Sequence, residues 1–191
     1  MSGQYLTDPL AFLINTLAGL YILAVMLRFL LQWVRADFRN PISQFLIRIT
    51  QPPLQPMRRF LPPIGRADTS AMVLMLLLQF CTLAVVYWIG STNVSAGFLA
   101  VRSVAELLNL LLNVFLVVIF IRVILSWVNP GQYNPAIGLI DSLAEPVLAP
   151  VRRVIPAIGG LDLSPIAVLI GIQLAKMLFV YPIRDMARMF L

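Results

Sequence analysis

A block of proline, arginine and glycine recurs in this chain without a gap, 94 residues later. The first copy runs from Pro52 through Pro56, Arg58, Arg59, Pro62, Ile64, Gly65 and Asp68 to Ser70. The second runs from Pro146 through Pro150, Arg152, Arg153, Pro156, Ile158, Gly159 and Asp162 to Ser164. Set position by position, residues 28–70 and 122–164 share 16 identities in 43 pairs, where unrelated apolar stretches would share only a few. An internal repeat fixes the architecture before any single element is assigned. It divides the chain into a first unit, 1–94, and a second, 95–191.

What each unit can be follows from its hydropathy. Of 191 residues, 60% are hydrophobic and 12% charged, with mean hydropathy +0.92; a soluble domain carries about 25% charged residues. Four stretches, 10–34, 71–89, 107–128 and 165–181, suit a hydrocarbon core that takes about 20 helical residues to cross. The second has no charge and the fourth is interrupted by Lys176. Nothing alternates apolar and polar as barrel strands do. The expected fold is an all-α membrane protein with four transmembrane helices, two per unit.

The spans of each unit are separated by proline-punctuated segments, 35–70 and 129–164. Each contains Asn-Pro, at Asn40-Pro41 and Asn134-Pro135, followed by an apolar stripe: Ile42, Phe45, Leu46 and Ile49, or Ile137, Ile140 and Leu143. Proline suits a first helical turn and ends a helix later on. The pattern predicts short interfacial helices over 41–50 and 135–145, each followed by a stiff Pro/Arg loop. Residues 90–106 join the units. With two spans per unit, both copies enter the membrane in the same direction, a parallel repeat unlike the inverted repeats of many transporters.

Orientation follows the basic residues near span ends. Segment 35–70 has Arg35, Arg39, Arg48, Arg58, Arg59 and Arg66, and segment 129–164 has Arg152 and Arg153; the other side has Arg102, Arg184 and Arg188. The bias predicts both loops in the cytoplasm and both termini outside. Met1 to Pro9 lacks the basic start of a signal peptide, so the first span is expected to be retained. There is no histidine and one cysteine, Cys81, which excludes an intrachain disulfide, histidine-ligated haem and a multi-cysteine metal site. No cofactor is expected.

Several polar residues stand at equivalent positions. Arg28 and Arg122 each precede a tryptophan, Trp33 or Trp127, by five residues, about 7.5 Å along a helix. Such an arginine either snorkels to the headgroups or pairs with a carboxylate or loop carbonyls and pins the loop, with Asp68 and Asp162 as candidate partners. The pairs Arg58/Arg59 and Arg152/Arg153 suit anionic headgroups or a partner protein, or serve only as topology signals. A nucleic-acid role has no supporting motif. Asp68 with Ser70, and Asp162 with Ser164, read as helix caps; a serine nucleophile would lack a histidine base. Gln79 and Gln173, like Asn15 and Asn109, suit contacts between helices or a polar path. Lys176, opposite Thr82 in the first unit, is an intramembrane cation and a functional suspect, with snorkelling as its competitor.

The doubled pattern Arg-x-x-Leu-x-Trp, Asn-Pro, Pro-x-Leu-x-Pro-x-Arg-Arg-x-x-Pro-x-Ile-Gly-x-x-Asp-x-Ser resembles the YggT family, which includes the YlmG proteins of bacteria and plastids. The resemblance covers essentially the whole chain as two tandem units. It implies an integral protein of the bacterial inner membrane without known enzymatic chemistry. Relatives are linked with osmotic-stress tolerance, with cell division and nucleoid organisation, and in plastids with maturation of a b-type cytochrome. The first copy departs from the pattern at Val34-Arg35-Ala36-Asp37, where the second has Pro130.

Two functions fit. One is a membrane scaffold or assembly factor whose Arg/Pro loops dock at anionic lipid or a membrane-protein partner. The other is a small channel or transporter subunit, compatible with an oligomer, using Arg28, Arg122, Gln79 and Gln173 as a path. An enzyme has no nucleophile–base pair, metal cluster or phosphate loop to stand on.

Overall fold

The computed structural model describes residues 4–128, 134–155 and 162–191, and among these the regular structure is helical. The first unit comprises α1 (Gln4–Trp33), α2 (Pro41–Met57) and α3 (Thr69–Ile89). The second comprises α4 (Ala96–Val128), α5 (Pro135–Val154) and α6 (Ser164–Ala175), which runs through a π-helical turn (Lys176–Val180) into α7 (Tyr181–Arg188). Four helical stretches are long and apolar enough to cross a membrane: Thr7–Trp33, Thr69–Ile89, Ala96–Trp127 and Ser164–Arg188. Large apolar residues such as Phe12, Trp88, Phe120 and Leu178 stand exposed on them, as suits a lipid-facing surface.

α1 packs on α3, α3 on α4, and α4 on α5, α6 and α7. The core lies between them, built from Ile22, Val25 and Leu30 of α1, Ala71 and Leu74 of α3, and Val114 and Ile119 of α4. Leu54 of α2 and Leu148 of α5 enter the same core from one end, both fully buried. The short helices α2 and α5 lie in contact with each other, and Asn40 Nδ2 donates to the Pro135 carbonyl at 2.6 Å. Both arginine segments therefore meet at one end of the bundle, as a parallel repeat requires.

Two expectations are corrected. The interfacial helices do not stop near residues 50 and 145: α2 runs through Pro52, Pro53 and Pro56, and α5 through Pro146 and Pro150. Each proline removes an amide donor, and Tyr21 Oη donates instead to the Ile49 carbonyl, 3.3 Å away, the acceptor that Pro53 deserts. Burial of Thr50 and Leu54 against the spans outweighs the local cost.

The buried face of α2 mixes polar and apolar side chains. It is Ser43, Leu46, Thr50 and Leu54, while Ile42 and Phe45 are 42% and 61% exposed. The stripe is divided: Leu46 is buried and Ile49 packs against the core, while Ile42 and Phe45 face outward, and Thr50 on the inner face receives Arg28.

The second correction concerns span lengths. α4 begins at Ala96 rather than near 107, capped by Ser95 Oγ accepting from Phe98 N at 3.1 Å. The fourth helical stretch extends to Arg188. Charged residues that mark a boundary in sequence, Arg102, Glu106 and Arg184, are paired with each other, so the helices continue through them. Gly97 suits this packing: a Cβ there would stand 3.1 Å from the Phe190 ring.

Candidate functional site

The repeated motif residues gather where α2 and α5 meet the spans. Asn40 and Asn134 cap their helices, each side-chain oxygen accepting from the amide two residues on, at 2.9 Å, and Pro41 and Pro135 open the first turns. This is the usual arrangement of cap and first-turn proline. It sets the direction in which α2 and α5 leave the bundle.

Arg28 is 6% exposed and points into α2. It donates to Thr50 Oγ1 at 2.8 Å, to Gln51 Oε1 at 2.6 Å and to the Ile47 carbonyl at 3.3 Å. Arg122 makes the matching reach to α5, donating to Asp141 Oδ1 at 2.7 Å, with Glu145 3.7 Å away. Pinning is therefore the geometry, but the partners differ from expectation. Asp68 and Asp162 are instead taken up by Arg58 and Arg152.

Asp68 is buried and pairs with Arg58, and it also caps α3 by accepting from Ala71 N at 3.3 Å. Asp162 pairs with Arg152 at 2.9 Å and accepts from Ser164 N at 2.9 Å. Arg152 also reaches Glu145 at 3.1 Å. Burial tends to raise the Asp162 carboxyl, but hydrogen bonds from Ser164 and Arg152 outweigh it and hold the group below the usual carboxylate range. Burial likewise tends to lower Arg152, and its bonds to Asp162 and Glu145 outweigh it and push it up.

The two arginines of each pair thus separate. Arg58 and Arg152 turn inward to the aspartate ten residues on. Arg59 and Arg153 are exposed and make no ion pair with a described residue. Each is followed by an exposed apolar side chain, Phe60 at 83% and Val154 at 80%. Sequence reasoning treated the pairs as units and missed this split; an aspartate at the same ten-residue offset in both copies was the available signal.

Between Asp68 and the pair, the chain turns at Ile64-Gly65-Arg66-Ala67, closed by Ile64 N to Ala67 O at 3.1 Å and Ala67 N to Ile64 O at 3.0 Å. Gly65 has φ +61°, a left-handed conformation that favours glycine. This accounts for a glycine in the first copy. Its counterpart Gly159, like Pro130, Pro156 and Ile158, lies outside the described residues.

The intramembrane polar residues stand in different surroundings. Gln79 is half-buried and Gln173 exposed, and neither side chain hydrogen-bonds to a described residue. Asn15 is exposed on α1 and Asn109 half-buried on α4. Lys176 does not snorkel. It is 8% exposed and donates to Asn113 Oδ1 at 2.6 Å. Its first-unit counterpart Thr82 bonds only to the Leu78 carbonyl of its own helix.

With this geometry in hand, comparison with known proteins is direct. A family model described as CCB3/YggT matches residues 7–89 and again 101–183. The chain belongs to the CCB3/YggT family. An uncharacterized Pseudomonas aeruginosa protein is 42% identical over 181 residues, covering 93% of this chain and 91% of the relative. A Vibrio alginolyticus protein, described as lying in the proC 3′ region, is 42% identical over 174 residues, 90% of this chain and 93% of its own. The Escherichia coli K12 protein YggT is 34% identical over 173 residues, 89% and 88% of the two chains. No solved structure matches. The twofold YggT match brackets the two arginine sockets, so each family unit carries one.

Proposed function

We propose that this CCB3/YggT protein is a non-enzymatic scaffold or assembly factor of the bacterial inner membrane, in the division, cytochrome-maturation or osmotic-stress setting that the family resemblance suggests. Its two arginine loops face the cytoplasm and dock at anionic lipid or a membrane-protein partner. The observation that carries this reading is the split of each Arg-Arg pair. One arginine holds the loop to the bundle, and the other stands exposed beside an exposed apolar residue. A cation next to an apolar anchor suits a headgroup–acyl boundary or a partner groove. Two such points, one just past the end of α2 and one at the end of α5, form a bivalent surface.

The test replaces Phe60 and Val154, one at a time, with a photoactivatable residue in cells. Crosslinks to one membrane protein that disappear in an Arg59→Ala/Arg153→Ala background support partner docking. Crosslinks to acidic lipid that disappear in the same way support headgroup docking. Crosslinks unchanged by the double substitution overturn the reading. Separately, a cysteine at position 55 that is labelled only from the periplasm would reverse the orientation.

A further inference from the structure

The units differ most at the end of the bundle away from the arginine loops. There only the second unit carries charges between its helices. Arg102, Glu106, Asn113, Lys176 and Arg184 stand where the first unit has Asp8, Phe12, Gly19, Thr82 and Gly90. Arg102, Glu106, Asn109 and Asn113 step by four, three and four residues, the spacing that places side chains on one face of a helix. α7 and the π-helical turn pack against α4.

Glu106 is shared. Arg102 Nε stands 2.8 Å from one carboxylate oxygen, and Arg184 Nη2 stands 2.8 Å from the other. All three side chains are partly open, at 21–28% exposure. The Nε groups of both arginines are shielded and make no hydrogen bond of good geometry, Arg102 Nε lying off the donor direction to Glu106. About 10 Å deeper along α4, two helical turns, Lys176 meets the Asn113 amide and not a carboxylate. The seam thus holds three cations against one anion. The remaining nearby acid on these helices, Asp185, is exposed and lies 3.4 Å from Arg188. An ammonium buried in an apolar bundle with only a neutral partner raises the energy of the seam unless negative charge is supplied from outside.

We propose that this seam binds a phosphate-bearing anion at Arg102 and Arg184, either the headgroup phosphate of an anionic lipid or free inorganic phosphate. Guanidinium edges match phosphate oxygens two at a time, and two guanidiniums around a tetrahedral anion satisfy donors that one shared carboxylate cannot. Glu106 occupies the site as an internal substitute and competes with the ligand. Lys176 does not touch the ligand and adds favourable potential from below. The site belongs to the second unit alone and is separate from the arginine loops, so the docking reading above can fail without it.

The full chain in phosphatidylcholine nanodiscs is titrated with inorganic phosphate by 31P line broadening, and native mass spectrometry scores retained phosphatidylglycerol against phosphatidylcholine from mixed nanodiscs. Arg184→Gln should weaken whichever ligand binds by about tenfold, the scale of one charge-assisted pair, and Lys176→Gln by a few-fold. Glu106→Gln should strengthen binding by about tenfold while lowering the melting temperature, a divergence that a purely structural ion pair does not produce. Retention of phosphatidylglycerol alone assigns the lipid headgroup, and phosphate broadening alone assigns the free anion. Where Arg184→Gln fails to fold, Glu106→Gln decides by itself. Binding that falls with Glu106→Gln, or a wild-type chain with neither ligand, overturns the proposal.

Discussion

Arg28 and Arg122 hold the same place in two copies of one motif, yet opposite kinds of group hold them. Arg28 is buried against a hydroxyl, an amide and a carbonyl. Arg122, with its side chain 27% exposed, faces Asp141 and Glu145. The substitutions align: Thr50 and Gln51 of α2 correspond to Ala144 and Glu145 of α5. Where the socket is closed to solvent, neutral acceptors spread the charge over several bonds. Where it is open, carboxylates do the work with less burial. The same contrast runs through the loops. Segment 35–70 has six arginines and two aspartates, and segment 129–164 has two arginines and three acids. The first unit therefore spends its acids on structure and presents cations, whereas the second neutralises its own.

The strongest way to break this comparison is to remove both arginines in turn. Arg28→Met should destabilise the protein by about 3 kcal/mol, since it strands one buried and two partly buried acceptors that were bonded to a charge. Arg122→Met should lose about 1 kcal/mol, the scale of a partly exposed ion pair. Reversible unfolding in mixed micelles measures both. Equal losses would mean that the sockets are equivalent despite their chemistry.

A second test moves to the aspartates. Asp68 has a side chain 3% exposed, paired with Arg58 and capping α3, while Asp162 is 40% exposed in the matching pair. Asp68→Asn should lose about 2 kcal/mol, a buried charge pair together with a weakened cap. Asp162→Asn should lose less than about 1 kcal/mol. A reversal of that order would place the tighter loop in the second unit.

Much of this was legible beforehand. The repeat with its four apolar stretches led to four membrane-crossing helices in two same-facing units, because hydropathy over about 20 residues is a long-range signal that local detail does not disturb. The ends were less legible. Pro52, Pro53 and Pro56 read as a stop, but Thr50 and Leu54 are buried against the spans, and tertiary packing outweighs three missing amide bonds. Arg102, Glu106 and Arg184 read as the end of apolar territory, but Arg184 comes from 78 residues downstream, a pairing that no local window contains. At the loops, Arg58 and Arg59 are indistinguishable by type. Only their positions at the end of α2 send one to Asp68 and the other outward.

The open second loop should also respond to acid. The folded Asp162 carboxyl sits below its ordinary value, so its contribution is complete above the unfolded value of about 3.9 and is lost as pH falls through the depressed folded value. The stability difference between the wild type and Asp162→Asn should therefore persist above about pH 4 and close below it. A difference that stays constant to lower pH would show that the carboxylate charge is not what Arg152 and Ser164 recognise.

The smallest expected effect on stability is also the one most tied to function. Arg59 and Arg153 are exposed and unpaired among the described residues, so alanine at either should change unfolding by less than about 0.5 kcal/mol. Their neighbours Arg58 and Arg152 carry the structural role, and alanine there should act through Asp68 and Asp162. A docking function resting on the outer arginines predicts that crosslinking from positions 60 and 154 falls in Arg59→Ala and Arg153→Ala while stability holds. It further predicts a larger drop for Arg59, because the first loop's surplus of cations is not offset by acids of its own. Equal drops would mean that local geometry beside Phe60 and Val154 matters more than the charge of the loop, and a drop that tracks stability would return both arginines to the scaffold of the fold.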